Sequence, residues 1–183
     1  MLCIYLNFKS AKRCKQNAEL YLVNPYLPVY DILHKFMPRI PLHVPDYLIL
    51  LSTIFAFIKE GSIITTRINT HIPCLICSLL LRSIVTRLTI IPTCMPKPRN
   101  NTNYYSQIFT STHDLMYSGH TILFIFLGKI VEEDYYSNIF LYLSGKVIQF
   151  IFPISLILSR QHYTNDIVVS IIVYNFFFLY LKS

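Results

Sequence analysis

The chain has 183 residues, a length that suits one domain and is too short for two ordinary ones. Hydrophobic residues make up 54% and charged residues 14%, whereas soluble domains have roughly 45–50% apolar and about 25% charged residues. The aromatic content of 15% excludes a disordered chain, and five thinly spread cysteines exclude a disulfide scaffold. With a mean hydropathy of +0.47, the chain is interpreted as an integral membrane protein.

The net charge of +7 is spread between apolar segments and forms no basic stripe with interleaved aromatic residues. A stripe of that kind would be typical of a nucleic-acid-binding protein. We therefore expect contact with anionic lipid headgroups and no nucleic-acid partner.

Five apolar segments follow one another along the chain, at about 42–64, 72–91, 115–131, 136–158 and 165–181. Each is long enough, at 1.5 Å per residue, to approach the thickness of a bilayer. The predicted fold is an all-α integral membrane protein with about five transmembrane helices. We divide the chain into a basic amino-terminal segment with an irregular loop (residues 1–40) and a multi-pass transmembrane domain (residues 41–183), to which the candidate catalytic residues described below belong.

Three charged residues interrupt these segments: Asp46, Arg87 and Lys146. Each would cost about 2.5–3.5 kcal/mol at the centre of a spanning helix. We therefore expect them near helix ends or facing a polar interior.

The first polar patch runs from Asp114 to Thr121, where a loop enters the third apolar segment. The amino terminus of a helix presents backbone N–H groups and a partial positive charge, which suit a phosphate. Ser118 adds a hydroxyl, Gly119 permits close approach to the backbone, and His120 can exchange a proton near neutral pH. The alternative is a serine cap followed by a histidine without a catalytic role.

The second polar patch runs from Ser159 to Asp166, between the fourth and fifth apolar segments. His162 and Asp166 are four residues apart and share one face of a helix. A carboxylate at one imidazole nitrogen fixes the tautomer and makes the other nitrogen more basic. Arg160 carries a planar guanidinium suited to phosphate. The alternative is a solvated loop with a chance pair of His and Asp.

If the five segments alternate in direction, both patches lie on the same side of the membrane. Two histidines, an aspartate, an arginine and a phosphate-binding turn then meet at one interface. This set supplies a nucleophile, its orienting carboxylate, a proton donor and charge stabilisation for phosphoryl transfer through a phosphohistidine.

The sequences Tyr117-Ser-Gly-His-Thr121 and His162-Tyr-Thr-Asn-Asp166 resemble the two signature motifs of the sphingomyelin synthase family, a branch of the lipid phosphate phosphatase superfamily. Two weaker similarities lie upstream. Arg82, Thr89 and Pro92 match an arginine-led helix that ends at a Thr-x-Leu-Pro turn, and Pro28-Val-Tyr-Asp31 is similar to a Pro-x-x-Asp loop. The resemblance covers about residues 25–181.

The resemblance implies a role for each matching residue. His162 would attack the donor phosphodiester, Asp166 would orient it, and His120 would protonate the departing diacylglycerol and then deprotonate the ceramide hydroxyl. Phosphate-binding residues would be Ser118, Gly119, Arg160 and Arg82. The implied enzyme transfers phosphocholine, phosphoethanolamine or phosphoinositol from a glycerophospholipid to ceramide. It uses no cofactor and no metal, so activity is expected to survive chelation.

The chain departs from the family pattern at several positions. Thr112 and His113 stand where the family has Cys and Gly. The family has six spanning helices, and we expect the first to be missing here. The basic first motif of the phosphatases is absent, because Lys97-Pro-Arg99 does not supply it. Two alternatives remain open: a lipid phosphate phosphatase, and a truncated multi-pass protein without turnover.

The resemblance implies a Golgi, endoplasmic reticulum or plasma membrane protein whose site faces the lumen or the outside of the cell. The sequon at Asn100 falls in the loop expected on that side. The basic amino terminus would then be lumenal, against the positive-inside tendency, unless a first helix precedes it. Of the remaining residues, Cys74 and Cys77 are expected to be packing residues, and Asp31 and Asp46 are candidate partners for Arg82 or Arg160.

Overall fold

The computed structural model describes residues 5–6, 9, 31–60, 64–88, 117–133 and 138–182, and these contain helices and no strand. The helices longer than one turn, numbered here in chain order, are α1 (Ile32–Phe36), α2 (Val44–Glu60), α3 (Ile64–Leu88), α4 (Gly119–Glu132), α5 (Ile139–Lys146), a π-helical turn (Val147–Ile151), α6 (Ile154–Leu158) and α7 (Thr164–Lys182).

Three stretches of the described residues are long and apolar enough to cross a membrane: Ile68–Thr86, Ile139–Leu158 and Thr164–Leu181. Helix α2 adds a shorter apolar stretch, Val44–Phe57. The predicted all-helical membrane bundle is confirmed, and each of the five predicted segments contains a helix. The interval between the first two predicted segments, residues 65–71, is helical, because these residues belong to the first turns of α3. Residues 64–67 extend α3 before its apolar stretch, which begins at Ile68.

Helix α4 is the centre of the bundle and contacts α2, α3, α5 and α7. Ile122, Phe124 and Ile125 on this helix are at most 1% exposed. With 14 residues, α4 is about 21 Å long, shorter than the roughly 30 Å of a hydrocarbon core. An apolar helix of this kind is buried by its neighbours on all sides.

Helices α4 and α5 cross at two glycines. A Cβ atom added to Gly128 would lie 2.6 Å from the carbonyl oxygen of Gly145, and one added to Gly145 would lie 2.6 Å from that of Gly128. Only residues without a side chain permit this approach. The glycine pair therefore fixes the distance between the two helices.

Lys146, one of the charged residues inside the apolar segments, lies beside an acidic partner. Lys146 Nζ lies 2.7 Å from Glu132 Oε1, and Gln149 donates a hydrogen bond of 2.6 Å to Glu132 Oε2. Nearby, His71, which is fully buried, lies 3.1 Å from Glu133. These contacts offset the cost of burying charge in the membrane. The side chain of Arg87 lies outside what the structure describes.

Candidate active site

The described part of the first polar patch, residues 117–121, meets the second patch, residues 159–166, at one end of the bundle, as the alternation of segments predicted. The ring centroids of His120 and His162 are 6.4 Å apart, and both side chains are less than 10% exposed. His120 belongs to the first turn of α4, whereas His162 lies in the loop between α6 and α7. Residues 42 positions apart in sequence therefore face each other in a buried site.

Ser118 is the N-cap of α4, and its Oγ accepts a hydrogen bond from the backbone N–H of Thr121 at 3.1 Å. Its own N–H donates to Ser170 Oγ at 2.8 Å, and Ser170 Oγ donates to the carbonyl of Asp166 at 2.6 Å. Ser170 thus links the start of α4 to α7. The Ser118 hydroxyl therefore caps the helix and fixes the turn that carries His120.

Arg82, near the end of α3, reaches the same turn. Its Nε donates a hydrogen bond of 2.9 Å to the carbonyl of Tyr117. The guanidinium lies against Gly119, since a Cβ atom at that position would be 3.4 Å from Nε and 3.5 Å from Cζ. The structure thus brings Arg82, Ser118 and Gly119 together beside His120. A buried guanidinium next to a helix amino terminus is an arrangement suited to an anion.

The loop that carries His162 (residues 159–163, called here the His162 loop) begins with a Schellman motif. The N–H of Gln161 bonds the carbonyl of Leu156, and that of Arg160 bonds the carbonyl of Ile157, both at 3.0 Å. Arg160 has a φ of 60°, in the left-handed region that a glycine would adopt most readily. The motif reverses the chain direction and turns His162 toward His120.

Asp166, in the first turn of α7, orients the ring of His162. Its Oδ2 lies 3.3 Å from His162 Nδ1 and accepts a hydrogen bond of 2.9 Å from the backbone N–H of Tyr163. The carboxylate therefore holds a proton on Nδ1 and leaves Nε2 as the basic nitrogen. Burial lowers the pKa of His162 below its ordinary value, although Asp166 acts in the opposite direction. A neutral imidazole is the form that acts as a nucleophile.

Asp46 is a site residue that the sequence did not assign. Its Oδ1 lies 3.3 Å from His120 Nε2, and its side chain is 40% exposed. The sequence signal was a carboxylate in the first turn of α2, the only charged residue of the apolar stretch Val44–Phe57. The suggested pairing of Asp46 with an arginine missed this contact. Each of the two histidines thus has its own carboxylate partner.

Arg160, expected at the phosphate, donates hydrogen bonds from Nη2 to the backbone carbonyls of His34 and Met37, the latter at 3.1 Å. Asp31 accepts hydrogen bonds from the N–H and Oγ1 of Thr164 at 2.6 and 3.0 Å. These contacts join the segment before α2 to the His162 loop. The weaker resemblances at Pro28, Thr89 and Pro92, the departures at 97–113 and the sequon at Asn100 lie outside the described residues.

No group of three His, Cys, Asp or Glu side chains within the described ranges is arranged to hold a metal ion. An apolar pocket of about 390 Å³ opens between α2 and α5 and includes Phe55, Phe140 and Phe152. None of the candidate site residues lines this pocket. The candidate active site is therefore defined by the paired histidines and their partners.

Residues 112–183 match a family model described as PAP2 superfamily C-terminal. The matched range includes both histidine motifs, and it supports the lipid phosphate phosphatase superfamily, a class of enzymes that act on lipid phosphates. The match does not single out the sphingomyelin synthase branch. No curated protein matches the chain.

Proposed function

We propose that the protein transfers a phospho-headgroup from a glycerophospholipid to ceramide through a phosphohistidine at His162, with release of diacylglycerol. The observation that carries this proposal is the buried pair of histidines, with ring centroids 6.4 Å apart and a carboxylate 3.3 Å from each ring. One histidine can attack a phosphorus atom while the other exchanges a proton with an oxygen on it.

In the first step His162 Nε2 attacks the phosphorus of the donor. The bond from phosphorus to the glycerol oxygen breaks, and His120 donates a proton to that oxygen, so diacylglycerol leaves as a neutral alcohol. Asp166 stabilises the positive charge that develops on the His162 ring. Arg82 and the first turn of α4 stabilise the phosphate oxygens.

In the second step the ceramide hydroxyl replaces diacylglycerol. His120, now neutral, takes the proton from this hydroxyl, and the oxygen attacks phosphorus as the bond to His162 Nε2 breaks. Asp46 keeps the ring of His120 in place and forms an ion pair with it whenever the ring is protonated. His120 is thus acid in one step and base in the other.

Products distinguish this proposal from hydrolysis, which the superfamily match would also accommodate and in which water replaces the ceramide hydroxyl. Purified protein in vesicles of mixed glycerophospholipids with ceramide should yield diacylglycerol and a phosphosphingolipid in equal amounts, measured by lipid mass spectrometry. The headgroup of the product identifies the donor.

His162→Ala and His120→Ala are the matched variants, because each removes one ring from the same site. Both should insert into the membrane and form no phosphosphingolipid. Release of free phosphate or free headgroup phosphate in place of a phosphosphingolipid would identify a hydrolase. Absence of all turnover by the wild-type protein would favour a multi-pass protein without catalysis.

A further inference from the structure

Residues 31–42, called here the α1 arm, are joined to the His162 loop and to the residues flanking it by hydrogen bonds in both directions. Arg160 donates to the carbonyls of His34 and Met37, and the N–H of Ile40 donates to the carbonyl of Leu158 at 3.1 Å. The side-chain amide of Gln161 donates to the carbonyl of Leu42. More than 110 residues of sequence separate the two sides of each bond.

Two further hydrogen bonds involve the backbone of His162 itself. Nε2 of His34 lies 3.1 Å from the carbonyl of His162, and because a carbonyl only accepts, His34 donates this bond. The N–H of His162 bonds the carbonyl of Leu156 at 3.3 Å. Both backbone polar groups of His162 are therefore fixed. The His34 ring also stacks on Tyr163, with centroids 5.7 Å apart.

Asp31 completes the contact at the start of α7. Its carboxylate accepts from Leu33 N and from both the N–H and Oγ1 of Thr164, so it caps α1 and α7 together. Burial would raise the pKa of Asp31, but the hydrogen bonds from Thr164 and the charge of His34 outweigh it and lower the pKa overall. The carboxylate is thus an ionised acceptor at neutral pH, and Thr164, which donates to it, lies two residues after His162 in the sequence.

The backbone conformation of Arg160 also indicates that the α1 arm holds the His162 loop in place. A non-glycine residue is less favourable than glycine in the left-handed region, and such a conformation persists only where its surroundings determine it. At Arg160 the surroundings are the α1 arm, because the side chain donates to two carbonyls there. A glycine would adopt this turn more easily but could not make those bonds.

We propose that Asp31, His34 and Thr164 are positioning residues for the nucleophile: the α1 arm holds the His162 loop so that the His162 ring stays against Asp166 and opposite His120. The inference rests on the proposed function only in naming His162 as the nucleophile. A misplacement of about 1 Å at a reacting group costs up to about 10²-fold in rate. Loss of the arm's contacts should therefore lower kcat and leave KM unchanged.

The test compares pairs of variants in the full chain, reconstituted in lipid nanodiscs. His34→Leu and Thr164→Val each remove a side-chain hydrogen-bond donor, whereas His34→Gln and Thr164→Ser each retain one. Lys35→Ala changes an exposed neighbour on α1 and is the control. We expect kcat to fall by about 10- to 100-fold for the first pair, with the second pair and the control close to wild type.

A second readout needs no lipid substrate. Diethyl pyrocarbonate modifies accessible neutral imidazoles, and mass spectrometry of the digested protein gives the rate at each histidine. His34→Leu and Thr164→Val should raise the rate at His162, which is 6% exposed, by several-fold. The rate at the exposed His43 serves as the internal reference and should not change.

The two readouts separate the possible failures. Wild-type modification rates at His162 in both His34→Leu and Thr164→Val would overturn the positioning role. If all four variants raise the modification rate of His162 equally and reduce kcat equally, these residues have a general structural role instead. If modification changes as expected but the wild-type protein transfers no headgroup, the positioning role stands and the proposed function fails.

Discussion

At the residue scale, the two histidines differ in which nitrogen faces a carboxylate. Asp166 lies against Nδ1 of His162, whereas Asp46 lies against Nε2 of His120. Asp166 is 1% exposed, and the side chain of Asp46 is 40% exposed. A nucleophilic histidine benefits from a fixed tautomer in a site that excludes water. A histidine that exchanges protons benefits from a carboxylate partner near solvent. The two environments match the two roles assigned to the rings.

We expect Asp46→Asn to reduce transfer by less than the roughly 10²–10⁴-fold that a general acid–base residue contributes. The ring of His120 remains, but it loses the carboxylate that holds it and pairs with its charged form. The measurement is kcat/KM for headgroup transfer. Tyr47→Phe, at the exposed neighbouring position on α2, is the control and should keep wild-type activity. Wild-type kcat/KM for Asp46→Asn would remove Asp46 from the site.

The pH dependence of transfer follows from the lowered pKa of His162. A lowered pKa keeps the ring neutral at pH 7, so activity should be retained as the pH falls to the ordinary histidine value of about 6.5 and decline only below it. Asp166 raises the pKa, so Asp166→Asn should move this acidic limb to still lower pH, in addition to reducing the rate. The profile of kcat/KM against pH checks both. An acidic limb above pH 6.5 in the wild type would contradict a buried neutral nucleophile.

The sequence predicted the residues whose chemistry is unusual for their setting. His120 and His162 stand out because motifs with Ser, Gly and Asp interrupt apolar segments. Asp46 could not be assigned, because its partner lies 74 positions away and no local spacing connects them. Arg160 was expected at the phosphate from its charge, yet its known contacts depend on a left-handed turn that the sequence does not signal, since no glycine marks it.

At the element scale, the glycine pair of α4 and α5 determines how closely the central helix packs. Gly128→Ala should destabilise the protein by about 1–3 kcal/mol, the usual cost of overpacking, because its Cβ would lie 2.6 Å from the backbone of Gly145. Thermal unfolding in detergent gives the change in stability. Ser144→Ala, adjacent to Gly145, is the control and should unfold close to wild type. Equal unfolding temperatures for Gly128→Ala and the wild type would show that the helices can separate without cost.

The start of α7 at Thr164 lies one residue from the predicted 165, and the start of α4 at Gly119 lies four residues after the predicted 115, where the chain changes from polar to apolar. The break between α5 and α6 was not predicted. The predicted segment 136–158 is one apolar run, but the structure has a π-helical turn at Val147–Ile151 and a new helix after Pro153. Hydrophobicity does not reveal a change of helix type, which depends on local hydrogen bonding and on proline.

At the scale of the whole molecule, the site defines one end of the bundle. Arg82 lies at the site six residues before the end of α3, and Ser118, the N-cap of α4, lies there too, so the chain between these helices leaves near the site end and returns to it. Helix α7 begins at the site with Asp166 and runs away from it. Asn100 and Ser183 are therefore expected on opposite sides of the membrane.

Glycosylation mapping in microsomes tests this arrangement. Under the family's sidedness, Asn100 should be glycosylated, Asn100→Gln should abolish the modification, and a reporter at Ser183 should be cytosolic. Asn100 and the reporter on the same side would contradict the bundle. A lumenal reporter with an unmodified Asn100 would keep the bundle and reverse the side on which the site lies.

The central claim is that His162 carries the headgroup between donor and acceptor. The most direct measurement is to incubate the reconstituted protein with a glycerophospholipid labelled in its phosphate, to quench at alkaline pH, where phosphohistidine is stable, and to locate the label by mass spectrometry. The account predicts label on His162 in the wild type, loss of that label when ceramide is added, and no label in His162→Ala. Product formation without labelled protein, or label that persists in His162→Ala, would contradict it.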